Sequence, residues 1–176
     1  MTEVIVERHP DQAMTAADAT AIIEGGSDCR AIHRLTWHRS VLSADGQRMM
    51  CHLTSPDLES VRIALKSGPQ LIKTEIWACS VRDAPGLTEV ELAQANVLVS
   101  FRFEQPMTPA ELEAIEGYGG VCLQSHRVRL LRAFVASDQR RVLCLCLAPD
   151  AESVRLALRD ATPPFERICA FQQFYD

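Results

Sequence analysis

Pro56-Asp57-Leu58-Glu59-Ser60-Val61-Arg62-Ile63-Ala64-Leu65 returns 93 residues later as Pro149-Asp150-Ala151-Glu152-Ser153-Val154-Arg155-Leu156-Ala157-Leu158. The match extends outward from there. Residues 4–65 align with 97–158 without a gap, and 24 of the 62 pairs are identical, about 39%. Met14 pairs with Met107, Cys29 with Cys122, His33-Arg34 with His126-Arg127, Asp45 with Asp138 and Cys51 with Cys144. Past Leu65 the second copy is one residue shorter, which sets Ile76 opposite Ile168. Self-similarity at a fixed offset marks a duplicated structural unit. We expect one repeat over 1–82, a second over 97–176, and a linker over 83–96 that holds the turn signal Pro85-Gly86.

Each element can be read twice. Val4-Ile5-Val6 and Val97-Leu98-Val99 are apolar, strand-forming runs. Thr15 with Asp18, and Thr108 with Glu111, have the spacing of capping boxes, the second with Pro109 at the first helical position. Helices should follow and stop near Gly25-Gly26 and Gly119-Gly120, with an extended run next. Asp45-Gly46 reads as a two-residue hairpin turn. Pro56 and Pro149 should each begin a helix, with acids in the first turn. A last strand covers about 71–81 and 165–174. Each unit therefore reads β-α-β-β-α-β, the ferredoxin-like order. The expected class is α+β: two ferredoxin-like βαββαβ repeats forming a pseudo-dimeric α/β-barrel-like body, because a sheet with helices on one face must cover the other.

Composition bounds the function. The chain of 176 residues is 47% hydrophobic and 23% charged, which rules out global disorder. No apolar run approaches the length of a membrane helix. Net charge is −5 and no basic stripe interleaves with aromatics, so nucleic acid is not an expected partner. Seven cysteines without a C-x-x-C pair, behind an N-terminus lacking a secretory pattern, point to free thiols in the cytoplasm.

Strand arithmetic selects candidate site residues. With Asp45-Gly46 as the turn, residue i pairs with 91 − i. One face of the hairpin then carries Trp37, Arg39, Val41, Met50 and His52; the other carries His38, Ser40, Leu42, Met49, Cys51 and Leu53. The first keeps an arginine in both copies (Arg39, Arg132) and is assigned away from the helices. His38 fits its assignment badly. Ile5, Glu7 and His9 should share the Arg39 face. Copy two has Ser100, Arg102 and Leu145 where copy one has Glu7, His9 and His52, so the polar site belongs to the first repeat.

Two chemistries suit these residues. His9, His52 and Glu7 could hold a metal ion, since imidazole and carboxylate suit nickel and its neighbours. Glu7, His9, Arg39 and His52 could instead supply the base, acid and oxyanion partner of a small-molecule enzyme, such as an isomerase, cyclase or cofactor-independent oxygenase working in a pocket between the sheets. Trp37 and Arg132 are the candidates for contacting a bound cofactor or ligand.

The stretches Val6-Glu7-Arg8, Trp37 to Gly46, and Cys51 through Pro56-Asp57 resemble a family of small bacterial ferredoxin-like domains described as nickel-binding. Leu130 to Asp138 and Leu143 to Asp150 repeat the pattern, so the resemblance spans nearly the whole chain as a tandem fusion. It implies a dimeric α/β-barrel-like assembly made within one chain, as a monomer (pseudo-dimer) or a homodimer. It also implies binding of nickel or another divalent transition metal.

Overall fold

The computed structural model describes residues 1–66, 72–116, 121–159 and 164–174. In chain order the elements are β1 (Thr2–His9), α1 (Ala16–Glu24), α2 (Ser27–Ile32), β2 (Thr36–Ser43), β3 (Met49–Ser55), α3 (Leu58–Leu65) and β4 (Lys73–Asp83). Then come α4 (Glu89–Leu92), β5 (Val97–Arg102), α5 (Pro109–Glu116), α6 (Val121–Ser125), β6 (Arg129–Ala136), β7 (Arg141–Leu147), α7 (Ala151–Leu158) and β8 (Arg167–Phe174). The chain is α+β. It divides into two compact units, Met1–Cys79 with Gln172–Asp176, and Ser80–Phe171.

In the first unit β1 lies between β3 and β4, antiparallel to both, and β2 flanks β3. Thr15 caps α1 through the expected box: its hydroxyl accepts from Asp18 N–H at 3.2 Å, and Asp18 accepts from Thr15 N–H at 2.8 Å. Asp57 caps α3 by accepting from Ser60 N–H at 2.7 Å. Apolar residues on alternate strand positions form a core against the helices, with Val4, Val6, Leu42, Met49, Cys51 and Leu53 meeting Ala19, Ile23 and Val61. Burial on this scale is the main stabilising term, about 25 cal/mol per Å² of apolar area.

The second unit repeats the plan, with β5 between β7 and β8, and β6 beside β7. Registers match at the 93-residue offset: Ile5 faces His52 as Leu98 faces Leu145. Val6 pairs Ile76 as Val99 pairs Ile168, which places the one-residue deletion where the alignment put it. Its core sets Val99, Val135, Val142 and Cys144 against Ile115, Leu123 and Val154.

Three expectations need correction. The hairpin register of 91 holds from Arg39 to Leu42, but a β-bulge between Trp37 and Arg39 moves the pairing to Trp37↔Leu53. The extra residue exchanges the faces assigned to Trp37 and His38. The same bulge lies between Leu130 and Arg132. Second, the hairpin connection is longer than two residues. Ser43 N–H donates to Arg48 C=O at 2.8 Å, and Gly46 N–H donates to Ser43 C=O at 2.8 Å with Gly46 at φ +68°. Third, the chain after Gly25-Gly26 is not extended at once, because the short helix α2 intervenes. Its counterpart α6 does the same in the second unit, while Gly119-Gly120 lies outside the described residues. Among the described residues no helix is long and apolar enough to cross a membrane.

Candidate functional site

Direct cross-strand partners share a face of a sheet. Glu3, Ile5, Glu7 and His9 on β1 therefore share one face with Met50 and His52 on β3, Glu75 and Trp77 on β4, and Arg39 and Val41 on β2. This is the face away from the helices of the first unit, as the alternation predicted.

Glu7 is 1% exposed and both its oxygens are taken. Arg48 donates to Oε2 through Nε at 3.1 Å and Nη2 at 2.5 Å, while the Trp77 indole donates to Oε1 at 2.9 Å. A buried carboxylate held this way ties β1 to β4 and to the residue that precedes β3. His9 sits one pleat further along β1. Burial lowers its pKa below 6.5, Glu7 pulling it up and Arg48 pulling it down in lesser degree. Its Nε2 is buried without a hydrogen-bond partner among the described residues.

His52 is 3% exposed, and its Nε2 lies 2.6 Å from Glu3 Oε2. His38, carried to this face by the bulge, sets its ring 4.8 Å from the His52 ring at 34°. Glu3, His38 and His52 are the His, Cys, Asp or Glu donors that come close enough to share an ion among the described residues, with donor atoms all within 4.8 Å of one another. The expected trio of Glu7, His9 and His52 does not converge. Glu3 and His38 take the places expected for Glu7 and His9.

The remaining candidates are placed as follows. Arg39 is 3% exposed, faces His52 across the hairpin, and donates Nη1 to Gln173 Oε1 at 3.2 Å. Trp37 lies on the helix side, where its indole donates to Ser40 Oγ at 2.9 Å under the Arg30 guanidinium, 5.2 Å from the ring centre. Arg132 forms a fork with Asp83, at 2.5 and 2.8 Å, in the second unit. Cys51, Cys79, Cys144 and Cys146 are buried thiols outside any disulfide. Burial pushes Cys79 and Cys146 up to about 12, so both stay protonated at neutral pH and are poor ligands.

The donor set fits a divalent transition ion. Two imidazoles and one carboxylate suit nickel, copper or zinc. Two metal bonds of about 2.1 Å span at most about 4.2 Å. The 4.8 Å spread is therefore slightly wide, and the exposed side chain of His38 is the one able to close it.

A family model described as "Nickel responsive protein SCO4226-like" matches residues 98–170. The matched stretch is the second copy, where Asn96, Leu131 and Leu145 stand at the positions of Glu3, His38 and His52. No curated protein matches the chain. Among solved structures, TA0507, provisionally described as a chlorite dismutase, is similar over 99% of this chain and 96% of its own, at TM-score 0.50 and 11% identity. An anthrone oxidase-like protein matches at TM-score 0.48 and 12% identity, covering 92% of this chain and 78% of its own. A protein of Lactobacillus acidophilus NCFM provisionally described as a monooxygenase matches at 0.47 and 8%, covering 98% and 94%. At 11% identity the likeness to TA0507 speaks for the fold alone.

Proposed function

We propose that the chain is a divalent-metal-binding protein of nickel type, built from two ferredoxin-like repeats, with its ion site in the first. The observation that carries this reading is the convergence of Glu3, His38 and His52 on one strand face. His52 would bind through Nε2, Glu3 through its carboxylate and His38 through its ring. A bound ion would supply a positive charge that replaces the close His52–Glu3 contact. The nickel-responsive description of the family model supports the choice of metal.

Glu7 and Arg39 have supporting roles in this reading. Glu7 fixes β1 against β3 and β4 through Arg48 and Trp77, so that Glu3 and His52 stay in register. Arg39 holds the strand opposite His52. Equilibrium dialysis of untagged protein against nickel, zinc and copper tests the proposal. Uptake of one ion per chain is expected. No uptake of any of the three ions would sink it.

A further inference from the structure

The first unit holds a cavity of about 750 Å³ between its helices and its sheet, on the side opposite the histidines. Its walls are mainly apolar, with Ile22, Leu65 and Ile76 among them, and no acidic residue lines it among the described residues. Arg8 also lines it, although this side chain is only 7% exposed. Arg8 lies on the helix-facing side of β1, two positions beyond Val6. Its Nη1 donates to the Cys51 thiol at 3.2 Å, and no carboxylate pairs with it among the described residues.

A guanidinium does not lose its proton in a protein. Buried without a counter-charge it is costly. Cys51 is not that counter-charge, because its complete burial raises the thiol pKa and keeps it neutral. The second unit provides the control. There the position of Arg8 is taken by Phe101, which is 2% exposed. The corresponding space shrinks to about 20 Å³, lined by Phe101, Ile115 and Leu158 among other apolar groups. Ile115 and Leu158 are the counterparts of Ile22 and Leu65. One copy has closed this space with an aromatic ring. The other has kept it open and placed a cation in it.

We propose that this cavity binds a small organic anion with an apolar tail, the chemical class being a medium-chain carboxylate. The carboxylate meets the Arg8 guanidinium, whose planar fork matches its two oxygens. The tail lies along Ile22, Leu65 and Ile76. Cavities of about 300–1,000 Å³ are the usual size for ligands of this kind. The site is separate from the proposed metal site, and its test requires no metal.

The test is calorimetric titration of the full chain with sodium decanoate, decan-1-ol and decyltrimethylammonium, which share a tail and differ in head group. Decanoate should bind the wild-type chain at least about tenfold more tightly than the ammonium, the scale of one charge-assisted hydrogen-bonded pair. Arg8→Met should weaken decanoate at least about tenfold and leave decanol unchanged. It should not lower Tm, because it removes an uncompensated buried charge. Failure of decanoate to bind at millimolar concentration would overturn the proposal. So would equal binding of the anionic and cationic heads, a comparison that stands even if Arg8→Met does not fold.

Discussion

Replacing Glu7 by glutamine separates an anchoring role from a ligand role. The pair it forms with Arg48 is buried on both sides, with side chains 2% and 4% exposed. Glutamine keeps an oxygen for the Trp77 indole but removes the charge opposite Arg48. Removing one partner of a buried ion pair costs about 3–5 kcal/mol, mainly because the other charge is left uncompensated. A domain of this size loses about 2–4 °C of Tm per kcal/mol. Glu7→Gln should therefore lower Tm by roughly 6–20 °C. Adding Arg48→Met should recover part of the loss, with a coupling of about 1–3 kcal/mol in a double-mutant cycle. Thermal unfolding read by circular dichroism measures the first effect, and urea unfolding of the four variants measures the second. Nickel affinity of the folded Glu7→Gln chain should be unchanged, since Glu3 supplies the carboxylate. A Tm shift below about 2 °C together with lost nickel uptake would refute the reasoning, because Glu7 would then be a ligand and not an anchor.

Other consequences follow from the same structure. In Gly46→Ala the new methyl would lie 2.5 Å from Met14 O, at a backbone φ of +68°. The cost should be about 2–4 kcal/mol from the left-handed backbone plus the disturbed Met14 N–H to Gly46 C=O bond, read as a lower urea midpoint. His9 has its folded pKa below 6.5, so the unfolded chain takes up that proton first. Stability from His9 is therefore complete above about pH 6.5 and lost as pH falls below it, and His9→Gln should flatten the Tm profile between about pH 7 and 5. Trp37→Phe should leave metal uptake unchanged while lowering Tm, because the indole serves Ser40 and Arg30 on the helix side. Asp57→Ala should cost about 1 kcal/mol by removing the cap of α3.

The duplication made most of this architecture readable. Two copies of each signal distinguished a true cap such as Thr15 from chance, and the offset placed Ile76 and Ile168 correctly. Asp57 and Asp150, expected in the first turn of helices begun by Pro56 and Pro149, are instead the caps, and the helices start one residue later at Leu58 and Ala151. The alternation of β1 and β3 put Glu7, Arg39 and His52 on one face, as observed. What it missed has local causes. A bulge carries no sequence signature of its own, and one extra residue at Trp37-His38 reverses both side chains. The poor fit of His38 to the helix-facing side was the one available signal. Glu3 was legible in principle, because it alternates with Ile5 and Glu7, but at a strand start it reads as a solvated residue. Arg48 was not singled out, although its identity with Arg141 across the copies marks it. The helices α2 and α6 are six and five residues long, too short for an apolar period to show.

The most direct test of the central claim is anomalous diffraction at the nickel edge from crystals of the untagged chain grown with nickel. The account predicts one strong peak in the first unit, within about 2.0–2.2 Å of His52 Nε2, a His38 ring nitrogen and a Glu3 carboxylate oxygen. A peak at His9 and Glu7 instead, or none at all in crystals containing nickel at saturating concentration, would contradict it.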